Sequence, residues 1–143
     1  MNLAGVAQAV RARLVGDATF TALVNYVGYD KPQDTQSESL TPFPYCIIED
    51  VTTTQWDTKT SDGAEQLVQI TTFCRPTATR SAVDLANAAA QQVYDLLHDF
   101  DLVVSGSNVV NCLFEESPGN IPDPDGFTRY RPMTFRITYD TGT

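Results

Sequence analysis

The chain has 143 residues, 42% of them hydrophobic and 19% charged, which places it with globular domains and excludes a chain disordered throughout. A single domain over residues 1–143 is expected; at this length folding buries roughly 68–70% of the surface of the unfolded chain, enough for a real core. Nine basic residues against eighteen acidic ones give a net charge of −9, which argues against a nucleic-acid binder, because phosphate contacts rely on basic surface.

No apolar run approaches the roughly 20 residues that span a bilayer. The first residues carry Arg11 and Arg13 inside a helical pattern, with no long apolar stretch and no cleavage-like site, so no secretion signal is expected and the protein is expected to be cytosolic when made. Cys46, Cys74 and Cys112 are an odd number, widely spaced and without a Cys-x-x-Cys pair. Each sits in an apolar run, so each reads as a small buried thiol.

Leu3, Val6, Ala7, Val10 and Leu14 recur at helical spacing and predict a first helix from about Asn2 to Val15, capped by Asn2 and stopped by Gly16. Asp17 caps a second from about Ala18 to Val27, with Phe20, Leu23, Val24 and Val27 on one side and Gly28 as its end. Tyr29 to Pro44 carries turn and extended-chain signals and reads as a long loop. Strands are predicted from Tyr45 to Val51 and from Glu65 to Cys74, paired antiparallel. Between them the polar stretch Thr52 to Gly63 reads as a projecting hairpin loop around Trp56.

Ser81 to Phe100 has the strongest periodicity in the chain. Ala82, Leu85, Ala86, Ala89, Val93, Leu96, Leu97 and Phe100 make one stripe, and Asp84, Asn87, Gln91, Asp95 and His98 lie opposite. Short strands follow at Leu102 to Val104 and Val109 to Glu115. Ser117 to Gly126 is a Pro- and Gly-rich loop, and a last strand runs from about Phe127 to Tyr139. In it Met133, Phe135, Ile137 and Tyr139 alternate with Thr134, Arg136 and Thr138, and Pro132 marks an edge or a bulge. The sum is an α+β domain of order ααββαβββ, a mostly antiparallel sheet with its helices packed on one face.

No reaction centre emerges, so no catalytic residue, cofactor or metal ligand is assigned. His98, the only histidine, falls at a helix end, where the dipole favours it. Asp95, Asp99 and Asp101 lack the spacing of a cation loop, and Asp123-Pro124-Asp125-Gly126 reads as a turn because no closing acid follows. Ser105-Gly106-Ser107 is no nucleophile elbow, and no phosphate loop, dinucleotide fingerprint or zinc spacing occurs. What remains is contact chemistry. Trp56, among threonines with Asp57, Lys59 and Asp62, either anchors an interface or folds back to cap the sheet edge. Arg129 and Arg131 share a face with Met133; together with Arg136 they have Glu115, Glu116 or a neighbouring subunit as partners.

Four stretches carry a resemblance: Leu3 to Val27 leading into Val27-Gly28-Tyr29; Phe43-Pro44-Tyr45-Cys46-Ile47-Ile48; Trp56-Asp57-Thr58-Lys59 with Asp62-Gly63-Ala64-Glu65; and Tyr130 to Tyr139. In this layout the chain resembles the tail terminator, or tail completion, proteins of long-tailed phages and phage-like gene transfer agents. The resemblance implies a structural virion protein of the tail-neck region, assembled in the host cytoplasm. It implies a homo-oligomeric ring of six subunits that caps the tail tube and stops its growth. The ring's partners are then itself, the tail tube protein and the head–tail connector or stopper protein, with no membrane. An acidic lumen, in keeping with the net charge of −9, would let DNA pass without specific binding. Two alternatives stay open: another neck component, such as a head completion or stopper protein, and a small ligand-binding or enzymatic α+β domain. The first is distinguished by its partner, the second by a deep pocket with convergent polar groups.

Overall fold

The computed structural model describes residues 5–30, 43–57, 62–100, 102, 108–124 and 126–140, with residues 55–57, 62, 108–110 and 140 described as backbone only. Its elements run α1 (Gly5–Val15), α2 (Ala18–Leu23), β1 (Tyr26–Gly28), β2 (Tyr45–Asp57), β3 (Asp62–Cys74), α3 (Ala82–Leu97), β4 (Asn108–Glu116), β5 (Ile121–Pro122) and β6 (Arg129–Asp140). The strands form one sheet in the order β1-β2-β3-β6-β4, with β5 paired to the start of β6. All pairings are antiparallel except β1 with β2. The fold is therefore α+β with a mostly antiparallel sheet, as the periodicities predict, but in the order ααβββαβββ.

The structure differs from that reading in three places, of which the first changes the order. The second helix stops at Leu23, and Tyr26–Gly28 pairs in parallel with Tyr45–Ile47. A parallel neighbour needs a long return connection, which gives the length of the Tyr29 to Pro44 segment a reason. Asn25 secures the junction: its backbone N–H donates to the Pro44 carbonyl and its side chain to the Phe43 carbonyl, both at 2.8 Å. Gly28 is not a helix stop. A Cβ there would fall 2.3 Å from the Tyr26 hydroxyl, because the Tyr26 ring folds over it, its hydroxyl donating to the Asp30 carbonyl.

Secondly, Thr52 to Asp57 and Asp62 to Gly63 are strand and not loop. β2 continues to Asp57 and β3 begins at Asp62, with Trp56 opposite Gly63 in register. Threonines, β-branched, suit an extended backbone. β6 accompanies β3 as far as Gly63 opposite Asp140, so the pair belongs to the sheet up to that point and does not project from it. The register slips at Val51, a bulged residue that is 52% exposed. The bulge turns the strand's alternation over by one residue, so the polar run after Asp50 is still strand.

Thirdly, β5 lies inside the predicted loop 117–126, while the strand predicted at Leu102 to Val104 lies mostly outside the described residues; Leu102 itself is buried but not in a strand. The Asp123-to-Gly126 turn forms as read: the Gly126 N–H donates to the Asp123 carbonyl at 3.0 Å, and Gly126 takes φ +87°.

The core lies between the sheet and the helices. Cys46 and Ile48 of β2, Ala64, Val68 and Ile70 of β3, Met133, Phe135, Ile137 and Tyr139 of β6 and Cys112 of β4 share one sheet face, and all are buried. Val6, Val10 and Leu14 of α1, Phe20 of α2 and Ala90, Val93 and Leu97 of α3 close over them. Small residues at 82, 86, 89 and 90 seat α3 close to the sheet. The helices are tied to one another by polar links. Asp17 accepts from the Phe20 N–H as the cap of α2 and also from the Gln92 side chain of α3. Arg13 donates to the Leu96 carbonyl and lies 3.7 Å over the Phe100 ring.

Candidate assembly surfaces

The residues singled out by sequence fall at two places. Trp56, Asp57 and Asp62 lie at the hairpin end of β2 and β3; Arg129 and Arg131 lie at the start of β6, which is paired with the opposite end of β3. At 3.2–3.4 Å per residue, the 12 residues of β6 separate the two groups by roughly 35 Å. Lys59 lies outside the described residues. The sheet thus carries two distinct ends and not one cluster.

Arg131 is on the helix-covered face, opposite Thr72. Its Nε donates to Ser117 Oγ at 3.2 Å and its Nη1 to Asn87 Oδ1 at 2.9 Å, which also accepts from Asn120. Ser117 in turn donates to the Pro132 carbonyl. Arg131 therefore fastens the segment after β4 to α3. Arg129 is half-buried opposite Cys74 and Pro122. Arg136 is on the helix-free face, where it pairs with Glu115 and, at 3.6 Å, with Glu65. That is a cross-strand bridge from β3 through β6 to β4, one of the partnerships the sequence suggested.

His98 caps α3 and docks a strand. Its N–H donates to the Tyr94 carbonyl, its Nδ1 accepts from the Phe114 N–H at 3.1 Å, and its ring stacks on Tyr94. Asp99 follows in the left-handed region, φ +58°, and donates its N–H to the Cys112 carbonyl. The histidine's ring nitrogen is thus committed to holding β4 against α3. Burial pushes the thiols of Cys46, Cys74 and Cys112 up to about 12, which keeps them protonated and inert. Among the described residues no group of three or more His, Cys, Asp or Glu side chains gathers as a metal site would.

Periodicity in the sequence did not reveal a row of aromatics on the helix-free face. Phe43 packs on Tyr45, Tyr45 stacks on Phe73 and Phe73 stacks on Tyr130, with ring centroids 4.9, 4.8 and 5.4 Å apart. The register makes it: Tyr45 is opposite Phe73 and Phe73 opposite Tyr130. Arg75 lies over Phe43 at 4.3 Å and over Phe127 at 5.1 Å, and donates to Thr128 Oγ1. Tyr45 and Ile47 are buried although they belong to the face without helices. The signal in the sequence was the odd-position pair Tyr45 and Ile47, which shares no periodicity with Cys46 and Ile48.

The profile of the protein family described as Tail completion protein gp17 matches residues 8–140. Among solved structures, a chain of the "Virion of native gene transfer agent (GTA) particle" is similar with a TM-score of 0.75, over 97% of this chain and 99% of that one, at 22% identity. That is a likeness of fold. No curated protein sequence matches.

Proposed function

Because the chain belongs to the tail completion protein gp17 family, structural proteins of the phage tail and not enzymes, we propose that it forms a closed ring that caps the tail tube, stops tube growth and presents the surface for head–tail joining. The observation that supports this reading is the division of the candidate residues between two ends of one sheet. A cap needs two different faces, one for the tube protein and one for the connector, and a head-to-tail contact that closes by rotation. The hairpin end with Trp56, Asp57 and Asp62 supplies one face, and the region around Arg129 and the segment after β4 supplies the other. A ring of six subunits is the expected closure. The polar part of the helix-free face, away from the aromatics, supports a lumen that repels DNA: Glu65 and Glu115 outnumber Arg136 there, and the net charge of −9 is of the same sign. The virion, at the tail neck, is then its site, and the host cytoplasm its place of assembly.

Size-exclusion chromatography with light scattering, followed by negative-stain microscopy, tests this. The isolated protein is expected to associate weakly and with concentration, and to form rings when tube protein is present. A permanent monomer that never binds polymerised tube would contradict the proposal.

A further inference from the structure

The aromatic row borders a cavity of about 370 Å³ on the helix-free face. That is near the lower end of the roughly 300–1,000 Å³ range of ligand sites. Tyr45, Ile47 and Phe73 make an apolar floor, and Asp30, Glu49 and Asp123 line the wall together with Arg75, so that three acids face one base. Asp30 and Glu49 are exposed and enter no ion pair among the described residues. Two large apolar side chains lie beside it in the open: Tyr29, 43% exposed, next to Asp30, and Phe127, 51% exposed, against Arg75. Exposed aromatics that flank a cavity are the composition of a protein interface and not of an idle surface.

The charge and the rings narrow the occupant. Aromatic faces attract cations, and the chain shows this itself where the Arg75 guanidinium is seated over Phe43 and Phe127. The other side of the cavity has carboxylates. An apolar floor between them requires an apolar neighbour for whatever cation enters. We propose that this groove binds an extended segment of a partner protein that presents a lysine or arginine side chain beside an apolar one. The cation sits between Asp30, Glu49 and the rings, and the apolar residue packs on exposed Tyr29. The contact is separate from the hairpin end and does not depend on ring formation.

Synthetic peptides of about 12 residues, with arginine and leucine adjacent in an otherwise neutral sequence, serve as probes by fluorescence anisotropy at low salt. The expected result is binding at least about tenfold tighter than that of the same peptide with glutamine in place of arginine, and weakening by added salt. The double variant Asp30→Asn/Glu49→Gln loses about tenfold, Phe127→Ala and Tyr29→Ala lose several-fold, and Arg136→Gln, away from the groove, changes nothing. Unchanged far-ultraviolet circular dichroism and melting temperature show that each variant is folded. Equal binding of the glutamine peptide overturns the proposal. So does full binding by the double variant, or no binding of the arginine peptide up to about 1 mM. Variants that change only self-association would show that a second copy, and not another protein, occupies the groove, and would overturn it too.

Discussion

The two faces of the sheet are built on different principles. The helix-covered face is continuous: apolar side chains of β2, β3, β6 and β4 meet three helices, and few polar groups are buried among them. Buried Gln66 donates to Asp50 and accepts from Tyr139 at 3.5 Å. The helix-free face is divided into an aromatic zone, from Phe43 to Tyr130, and a polar zone of threonines, Glu49, Glu65, Glu115 and Arg136. The first face holds the fold together; the second buries Tyr45, Ile47 and Thr71 but exposes Glu49, Leu113 and Glu115. On the proposed function, stability and assembly are separable by substitution.

The comparison breaks most sharply on two phenylalanines. Phe135 is wholly buried beneath the helices and packs edge-on with Phe114. Phe135→Ala is expected to cost about 3–5 kcal/mol in urea unfolding. Phe73, half-buried in the aromatic row, loses two ring contacts on Phe73→Ala, at about 0.5–1.5 kcal/mol each beyond its area. Equal losses would mean that both faces form one core.

Alkaline pH separates the faces next. The three cysteines all lie on the helix-covered side. Each thiol has an ordinary value of 9.0 when unfolded and about 12 when folded. The neutral thiol is the form the fold accepts, so this stability is fully present below pH 9.0 and is lost as pH rises toward about 12. Between those values each thiol contributes a slope of up to about 1.4 kcal/mol per pH unit. Urea unfolding across that range is expected to show the loss, and Cys→Val substitution at all three sites to reduce it, the remainder coming from Tyr45 and Tyr139, which burial also pushes up. A pH-independent stability would contradict the burial.

Smaller effects sharpen the contrast. Asp17→Ala removes the cap of α2 and its tie to Gln92, at about 1–2 kcal/mol by thermal unfolding. Arg136→Gln, on the polar zone, removes an ion pair whose arginine side chain is 47% exposed, and is expected to change stability by less than about 1 kcal/mol. A larger loss there would make the polar zone structural.

What could be read from the chain follows the range of each signal. α3, the alternation of β6 and the Asp123 turn depend on neighbours a few residues apart, and all were legible. The strand Tyr26–Gly28 was not, because three residues carry no period and its pairing depends on a partner beyond Tyr29 to Pro44. The run Thr52 to Asp57 looked like a loop because a bulge at Val51 interrupts the alternation just where the side chains turn polar. The aromatic row was hidden for a further reason: Tyr45, Phe73 and Tyr130 become neighbours only through the register of three strands. The candidate residues were named individually, but their division between the two ends of β6 needed the same register.

The central claim, that the protein works by capping a tube, is tested most directly on the tube itself. Tail tube protein is polymerised with and without this chain, the chain carries an electron-dense tag, and tube lengths and tag positions are measured by electron microscopy. The account predicts tubes that stop elongating, with a tagged ring at one end of each. Tubes that continue to grow, with tag along their sides or absent from them, would contradict it.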